Sequence, residues 1–323
     1  MGNGKKGLKL IVQIPAYNEE ESIGEVIKSV PRTIKGIEKV EVLVIDDGSQ
    51  DKTVNVAKKA GADYIIRNVG NKGLAYTFQR GLNEALKLGA DIIVNTDADN
   101  QYNQKEIPKI VFPVLNGEAD LVLGNRQFLS LNHMPNIKKA GNSVGTKIVS
   151  LGSGIKLDDV SSGFRALSRE AALRLFVTAT HTYTHETLIQ AARNKLRILE
   201  IPVEFRKRNH GESRLITSKW GHTKKTVSTM VRISLMYQPL KFFSNFGLIL
   251  ILIGLVLYSR WIWYSYFGPG GDHIQSLLIG AVLILFGGIS VFLGFIAELL
   301  ATNRKYLEEI LYRMRKSDIE TFK

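Results

Sequence analysis

The 323-residue sequence contains no cysteine. This absence excludes disulfide bonds, zinc sites built from thiolates and thiol nucleophiles, and it is compatible with a reducing compartment. The first residues lack a long apolar stretch followed by a small-residue cleavage site, so we expect no signal peptide. Acidic residues are comparatively few: 43 Lys and Arg against 30 Asp and Glu give a formal net charge of +13.

The excess positive charge is unevenly distributed. Twelve Lys or Arg and three Glu lie between Arg193 and Lys241, so this segment carries nine of the net positive charges. Such a segment can attract nucleic acid, anionic lipid or a phosphorylated substrate. Because long apolar segments follow it, we expect membrane lipid to be the partner and expect no nucleic acid.

Two apolar segments, 246–266 and 277–300, are each long enough to cross a hydrocarbon core, which takes about 20 residues. Aromatic residues around Arg260 are typical of a membrane interface. The connecting loop has no Lys or Arg and both flanks are basic, which predicts a hairpin that leaves both soluble parts in the cytoplasm. The alternative is a buried helical hairpin in a soluble protein. Glycines in the second segment would let helices approach closely and would permit a homo-oligomer.

The first two thirds of the chain alternate between short apolar runs and stretches with helical spacing. This pattern predicts an α/β fold with a mostly parallel, doubly wound sheet, in which ligands bind at the carboxyl ends of the strands. The polar loops after the first, second and fourth runs should therefore meet at one edge. The runs lie at 8–14, 40–45, 64–67, 90–96, 120–124 and 198–205.

Two carboxylates one residue apart, Asp97 and Asp99, follow the fourth run, and Gln101 comes two residues later. Carboxylate and amide oxygens are hard ligands that suit Mg²⁺ or Mn²⁺, whose sites are usually completed by water and substrate phosphates. The alternative is a solvated acidic loop. The convergence of three polar loops favours a binding site.

Three motifs in this order resemble the nucleotide-sugar domain of inverting family 2 glycosyltransferases, which have the GT-A fold, a Rossmann-like and mostly parallel sheet. They are Pro15-Ala-Tyr-Asn-Glu19, Asp46-Asp47-Gly-Ser49 and Asp97-Ala-Asp99. Four further matches narrow the resemblance to polyprenyl-phosphate glycosyltransferases, such as dolichyl-phosphate mannose synthase. These are Asp99-Asn-Gln101, Gly124-Asn-Arg126, Val160-Ser-Ser-Gly-Phe164 and Gly211-Glu-Ser-Arg214.

The resemblance implies roles for individual residues. Asp99 and Gln101 would hold Mg²⁺ or Mn²⁺, and Asp97 would contact the nucleotide ribose or support the site. Asp97, Asp99 and Arg126 form the implied catalytic set. The implied nucleotide-sugar pocket consists of Pro15, Tyr17, Glu19, Ile45, Asp47, Asp97, Ala98 and Asp99. For Tyr17, packing beneath the first loop is the alternative.

The acceptor phosphate must approach another phosphorylated molecule, so cations should line its path. The candidates for acceptor or phosphate contacts are Arg126, Lys138, Arg208, Ser213 and Arg214. The basic loop departs from the mannose synthase pattern in its spacing and has Ile216 where a lysine is expected. Which of Arg206, Lys207 and Arg208 enters the site therefore stays open, and these residues could instead face anionic lipid.

Other polar residues admit two interpretations each. Asp159 could support the site or contact the sugar, but it could equally form a turn. Lys72 could meet phosphate or base at the start of a helix, or belong to a solvated loop. The spacing of the histidines does not require a metal site, and we place His185 and Glu186 near the acceptor end.

We expect a cytoplasmic GT-A domain over 1–220, juxtamembrane amphipathic helices over 221–245, two transmembrane helices within 246–300 and a basic cytoplasmic tail over 301–323. The expected reaction transfers a single sugar, mannose or glucose, with inversion. The donor would be a GDP- or UDP-sugar and the acceptor polyprenyl or dolichyl monophosphate at the cytoplasmic membrane face. The alternatives are a processive polysaccharide synthase and a non-catalytic membrane scaffold. A processive synthase would have a Gln-x-x-Arg-Trp motif before a channel of several helices. Here Arg260-Trp261 lies inside an apolar segment without that motif, and two helices are too few for a channel within one chain.

Overall fold

The computed structural model describes residues 7–129, 155–177, 183–207, 239–268 and 273–321, and four isolated helical residues at 139, 143, 146 and 150. The chain divides into two compact units. One comprises Met1–Thr223 together with Ile310–Lys323, and the other comprises Lys224–Glu309.

The first unit is built on a seven-stranded sheet in the order β3-β2-β1-β4-β6-β5-β7. β6 is antiparallel to both of its neighbours and the other pairs are parallel, so the predicted mostly parallel α/β sheet is confirmed. The strands are β1 (Lys9–Ala16), β2 (Lys39–Asp46), β3 (Tyr64–Arg67), β4 (Ile92–Asn95), β5 (Leu121–Asn125), β6 (Arg165–Ser168) and β7 (Ile198–Pro202).

Helices cover both faces of this sheet, because the strands are apolar on both sides. Alternate residues of β1 pack with the apolar residues of α1 and α4 in one continuous core. On the opposite face α3 lies so close to the sheet that a Cβ at Gly81 would be 2.5 Å from Gln13 Oε1 and 2.9 Å from Ile45 Cδ1. The helices of this unit are α1 (Ile23–Ser29), α2 (Thr53–Lys59), α3 (Leu74–Lys87), α4 (Ile107–Leu115), α5 (Arg169–Arg174) and α6 (Thr184–Arg193).

The prediction missed β6. None of the six apolar runs in the sequence covers this strand, yet Arg165–Ser168 pairs between β4 and β5, and α5 begins at Arg169. Four residues are too few to show the alternating apolar pattern of a strand. β6 is stabilised by its hydrogen bonds to the strands on both sides.

Two long apolar helices follow, α7 (Pro239–Tyr266) and α8 (Ile274–Thr321). Both are long and apolar enough to cross a membrane, and only 11% and 22% of their most apolar windows are buried within the protein. This exposure is the opposite of what a buried helical hairpin in a soluble protein requires. α8 continues as a helix beyond residue 300, where we expected the second span to end.

The two helices pack through paired glycines, as expected. A Cβ at Gly287 would lie 2.6 Å from the carbonyl oxygen of Gly247, and a Cβ at Gly254 would lie 2.8 Å from that of Gly280. The members of the two pairs are seven residues apart in each helix, so they lie on one face of each. Small residues let the backbones approach to this distance.

The end of α8 belongs to the first unit and packs on α5. Tyr312 donates a hydrogen bond to Glu170 (3.1 Å), and the Arg174 guanidinium lies 4.2 Å from the centre of the Tyr312 ring. Arg315 donates to the carbonyl oxygens of Leu173 (3.0 Å) and Leu175 (2.9 Å). The segment predicted as a basic tail is therefore helical as far as Thr321.

Candidate active site

The loops after β1, β2 and β4 meet at one edge of the sheet, as predicted. These three strands are parallel and adjacent, with Ala16 paired to Asp46 and Gln13 paired to Asn95. The predicted residues Pro15 and Ile45 face each other in the β1–β2 register and are both buried.

The first two loops are fastened to each other by reciprocal hydrogen bonds. The amide of Asn18 donates to Ser49 Oγ (2.9 Å), and the amide of Gln50 donates to Asn18 Oδ1 (2.8 Å). The amide of Glu19 donates to Thr53 Oγ1 (2.8 Å). These hydrogen bonds fix the loop that carries Tyr17 and Glu19, two predicted nucleotide contacts.

The two aspartates of the second motif have different environments. Asp46 is fully buried and its carboxylate lies 3.0 Å from the Arg67 guanidinium. Asp47 accepts hydrogen bonds from Asn68 Nδ2 (2.8 Å) and from the amides of Lys72 and Gly73 (both 2.9 Å). Asp47 thus attaches the loop before α3 to the carboxyl end of β2, and it brings Lys72 beside the predicted nucleotide pocket.

Asp97 lies among other charged groups of the site. Burial, and then the negative charges of Asp99 and Glu19, raise the pKa of its carboxyl to about 7, while Arg126 and Arg165 act in the opposite direction. The first and fourth loops therefore concentrate negative charge at one point. A divalent cation would compensate that charge.

Because Gly163 has no side chain, the Asp97 carboxylate can occupy the space beside its Cα atom. A Cβ at position 163 would lie 2.9 and 3.1 Å from the two carboxylate oxygens and 3.0 Å from the Tyr183 hydroxyl. Asn95 Nδ2 donates to the carbonyl oxygen of Gly163 (2.7 Å) and to the Tyr183 hydroxyl (2.9 Å). The Tyr183 ring stacks on Phe78 at 3.7 Å. A buried polar network thus holds the glycine against Asp97.

Asp99 and Gln101 are arranged by a tight turn. Asn100 between them has a φ of 60°, and Asp99 Oδ1 accepts a hydrogen bond from the Gln101 amide (3.2 Å). The Gln101 backbone and side chain also bond to the backbone of Arg206 (2.7 and 3.3 Å). Of the four described non-glycine residues with positive φ, three lie in loops of this site: Asn18, Asn100 and Gln127.

The residues present fit a divalent cation held partly by substrate. Within the described part of the chain, no group of three or more His, Cys, Asp or Glu could hold a metal by itself. Asp99 and Gln101 could supply two hard oxygen ligands, and phosphate and water would have to supply the rest. This incomplete protein ligand set is the usual one for Mg²⁺ beside a phosphorylated substrate.

Arg126, which follows β5, is held by Asp159 through both carboxylate oxygens. Its Nε donates to Oδ2 (2.7 Å) and its Nη2 to Oδ1 (2.8 Å), and Nη2 also donates to Ser161 Oγ (2.6 Å). Burial alone would raise the pKa of Asp159, but the hydrogen bonds and charge of Arg126 hold it below the usual value. Of the two interpretations of Asp159, the structure supports the one in which it supports the site.

Several residues of the site carried no recognised signal in the sequence. Arg165 is fully buried and donates to the carbonyl oxygens of Ser162 (2.8 Å) and Val160 (3.0 Å) and to Thr187 Oγ1 (2.6 Å), so it shapes the loop before β6. The Tyr102 hydroxyl accepts from the Gly163 amide (3.0 Å). Each directly adjoins a motif, Arg165 after Phe164 and Tyr102 after Gln101, and that adjacency was the available clue.

Three sets of predicted residues remain: Ala98, the basic loop, and residues outside the part of the chain that the structure describes. Ala98 is buried beside the two aspartates. In the basic loop, the Arg206 guanidinium pairs with Glu204 at 3.0 Å. Lys138, Arg208, Ser213 and Arg214 lie outside the described residues, as do most of 221–245.

Comparison with known proteins agrees with the motifs. Residues 11–176 match the family described as Glycosyl transferase family 2. The UDP-N-acetylglucosamine–dolichyl-phosphate N-acetylglucosaminyltransferase of Methanococcus voltae is 32% identical over 59% of this chain and 83% of its own length. The dolichyl-phosphate hexose transferase of Haloferax volcanii is 32% identical over 64% of this chain and 86% of its own.

A solved structure confirms the fold. Glucosyl-3-phosphoglycerate synthase from Mycobacterium tuberculosis, in complex with Mn²⁺, UDP-glucose and phosphoglyceric acid, superposes with a TM-score of 0.54. It shares 23% sequence identity over 70% of this chain and 80% of its own. The resemblance expected from the motifs is confirmed, and the chain belongs to glycosyl transferase family 2.

Proposed function

We propose that this protein transfers a single sugar from a nucleoside diphosphate sugar to a polyprenyl or dolichyl monophosphate. The observation that carries the proposal is the edge of the sheet on which Asp97, Asp99 and the buried pair of Arg126 with Asp159 converge. Carboxylates for a cation and a fixed guanidinium are the groups that a diphosphate donor and a phosphate acceptor need. The names of the relatives support this choice of acceptor.

The donor would be a GDP- or UDP-sugar carrying mannose or glucose. Because one relative is named for N-acetylglucosamine, that sugar belongs in any test. Tyr17, Glu19 and Asp47 would contribute to the nucleotide pocket, whose floor would include the buried Pro15, Ile45 and Ala98. The reciprocal hydrogen bonds between the loops after β1 and β2 would keep that pocket preformed.

In the proposed reaction an oxygen of the lipid phosphate attacks the anomeric carbon and forms the new bond. The bond from that carbon to the donor phosphate breaks, its electron pair leaves with the nucleoside diphosphate, and the anomeric centre inverts. The lipid phosphate is already ionised near neutral pH, so no general base is required. Asp159 is unsuited to be one, because both of its oxygens already accept hydrogen bonds from Arg126.

The remaining groups would stabilise the charge that develops on the leaving diphosphate. A divalent cation at Asp99 and Gln101 would supply Lewis-acid stabilisation. Arg126 would bind a donor or acceptor phosphate oxygen, and Lys138, Arg208, Ser213 and Arg214 would line the acceptor path. Asp97, whose carboxylate packs against Gly163, would contact the donor or support the neighbouring site residues.

The proposed place of the reaction is the cytoplasmic face of a membrane. α7 and α8 would anchor the protein, and the basic segment before them would lie near anionic lipid. The loop between the two helices has no Lys or Arg and both flanks are basic, which supports a hairpin that enters and leaves the membrane on one side, with both termini in the cytoplasm.

The test offers UDP- and GDP-sugars, a short polyprenyl phosphate and Mn²⁺ or Mg²⁺ to membranes that contain the protein. Labelled sugar in the lipid fraction, abolished by Asp99→Ala and by chelation of the metal, is the expected result. A labelled polymer would favour the polysaccharide synthase, and a protein that binds no nucleotide sugar would overturn the proposal. A phenotype unchanged by Asp99→Ala would favour the scaffold.

A further inference from the structure

The Arg126 guanidinium has a restricted set of donors left for a ligand. Asp159 and Ser161 occupy Nε and Nη2, and the guanidinium also lies 5.3 Å from the centre of the Phe205 ring. Among the residues that the structure describes, no acceptor bonds to Nη1. One edge of the guanidinium is therefore fixed by protein, and the other nitrogen is the one that a phosphate oxygen could approach.

Asp159 is itself held in place from a neighbouring strand. The two carboxylate oxygens of Glu200 accept hydrogen bonds from the amides of Asp158 (2.8 Å) and Asp159 (2.9 Å). Glu200 lies on β7, paired with Leu123 of β5, the strand that ends just before Arg126. The chain of contacts from Glu200 through Asp159 to Arg126 thus begins on β7 and ends at the residue that follows the adjacent strand β5.

We propose that Asp159 is a positioning residue that fixes Arg126 as a phosphate-binding group, and that Glu200 holds Asp159 in the required place. This inference rests on the proposed function, because it needs a phosphorylated ligand. Arginine has many rotamers, and a bidentate carboxylate partner removes most of that freedom before the ligand arrives. Preorganised charge in a site is more effective than charge that must be ordered during binding.

The inference is tested by a double-mutant cycle of Asp159→Asn and Arg126→Met. In the otherwise unchanged protein, Asp159→Asn should lower kcat/KM for sugar transfer by roughly 10–100-fold, the range typical of strongly coupled pairs. In the Arg126→Met background it should cost less than about twofold, because its only role at the site has already been removed. The same loss in both backgrounds would overturn the inference and leave Asp159 a purely structural residue.

A second ion pair in the chain provides a matched control. Arg197 Nε and Nη2 donate to the two oxygens of Asp120 (both 3.0 Å), and the Arg197 amide donates to one of them (2.9 Å). The hydrogen bonds at Arg126 have the same pattern, since its amide also donates to Asp159 Oδ2 (3.1 Å). Asp120 precedes β5 and so lies at the opposite end of that strand. Asp120→Asn should leave kcat/KM unchanged, and a loss equal to that of Asp159→Asn would contradict a site-specific role.

Milder variants keep the test decisive if Asp159→Asn fails to fold. Ser161→Ala removes one bond to Nη2, and Glu200→Gln weakens the acceptor that holds the Asp159 amide. Each should lower kcat/KM by a few fold, only when Arg126 is present, with the thermal midpoint within about 3 °C of the unchanged protein. Additive effects with Arg126→Met would count against the inference.

Binding measurements separate this inference from the proposed function. UDP, GDP and a short polyprenyl phosphate are titrated into the unchanged protein with Mn²⁺. If it binds none of them and transfers no sugar, both the proposed function and the inference fail. If it transfers sugar but the cycle is additive, only the inference fails.

Discussion

At the scale of single residues, the site depends on space as much as on charge. We expect Gly163→Ala to lower sugar transfer by about 100-fold, because its methyl group would displace the Asp97 carboxylate and a misplacement of about 1 Å can cost that much. Steady-state rates with the lipid acceptor measure the loss. Gly288→Ala, at a glycine with no atom within 4 Å of an added Cβ, is the control and should retain full activity. Full activity of Gly163→Ala would refute the close fit.

The titration of His185 gives a second residue-scale prediction. Burial lowers the pKa of its imidazole from 6.5 to about 4, and the charge of Arg165 adds to the shift. The folded protein therefore binds fewer protons than the unfolded chain between these values. The stabilisation present above pH 6.5 is lost as the pH falls towards 4, by up to about 3 kcal/mol.

His185→Asn should remove this dependence, since Asn does not titrate. Thermal midpoints of both proteins are measured from pH 7 to pH 4, and the advantage of His185 over Asn should shrink across that window. Asp97, whose raised pKa acts in the opposite direction, is present in both proteins and cancels in the difference. A difference independent of pH would show that His185 titrates near its ordinary value.

The positions of the candidate site residues in the fold were predictable where their motif adjoined a strand end. Asp97, Asp99 and Gln101 follow β4 directly, and Arg126 follows β5. Their supporting contacts were not predictable, because these join residues far apart in the chain. Asn95 and Tyr183 are 88 positions apart, and Arg126 and Asp159 are 33 apart. A single sequence carries no period or spacing that reports such pairs.

At the scale of elements, predictability followed length and apolar pattern. β1 and β2 have eight residues each and nearly continuous buried runs, so their parallel pairing followed from the pattern. β6 contains Arg and Ser in four residues and forms only because β4 and β5 provide partners on both sides. Local sequence determines such a strand less than its neighbours do.

Two adjacent glycines of α8, Gly287 and Gly288, allow a test of how α7 and α8 pack. A Cβ at Gly287 would lie 2.5 Å from Ile251 Cγ1, while one at Gly288 would meet nothing within 4 Å. Gly287→Leu should therefore force the helices apart and destabilise their packing by about 1–3 kcal/mol or more, whereas Gly288→Leu should be neutral. Thermal unfolding in detergent compares the two.

A disulfide reporter tests the same prediction directly. The Cβ of Phe243 lies 3.1 Å from a Cβ built at Gly294, somewhat shorter than the roughly 3.5–4.5 Å between the Cβ atoms of a disulfide, so the two positions are near enough to be crosslinked. Because the chain has no cysteine, Phe243→Cys with Gly294→Cys introduces a single possible crosslink. Its yield should fall with Gly287→Leu and not with Gly288→Leu. Equal yields would mean that the glycine contact does not set the packing.

At the scale of the whole molecule, α8 begins in the second unit and ends in the first unit, which contains the candidate active site and is called the catalytic unit below. The sequence predicted a basic tail over 301–323, because several Lys and Arg residues follow the second apolar segment. In the structure, Ile319 is only 7% exposed, and Arg315 bonds to α5 and also to Asn83 of α3. Composition could not reveal this packing, because the residues of α5 that contact the end of α8 lie more than 130 positions earlier in the chain.

Arg315→Ala should therefore destabilise the catalytic unit, although it lies in a segment that looks dispensable. The carbonyl oxygens of Leu173 and Leu175 would lose their shared donor, and the loss of these bonds costs roughly 2–3 kcal/mol, or a fall of about 4–12 °C in the thermal midpoint. The neighbouring Lys316 is exposed, so Lys316→Ala removes the same charge without that packing and should change the midpoint by less than about 2 °C. Equal shifts for the two variants would mean that charge alone matters at the end of α8. A larger loss for Arg315→Ala would mean that a soluble version ended at Thr223 lacks part of its own catalytic unit.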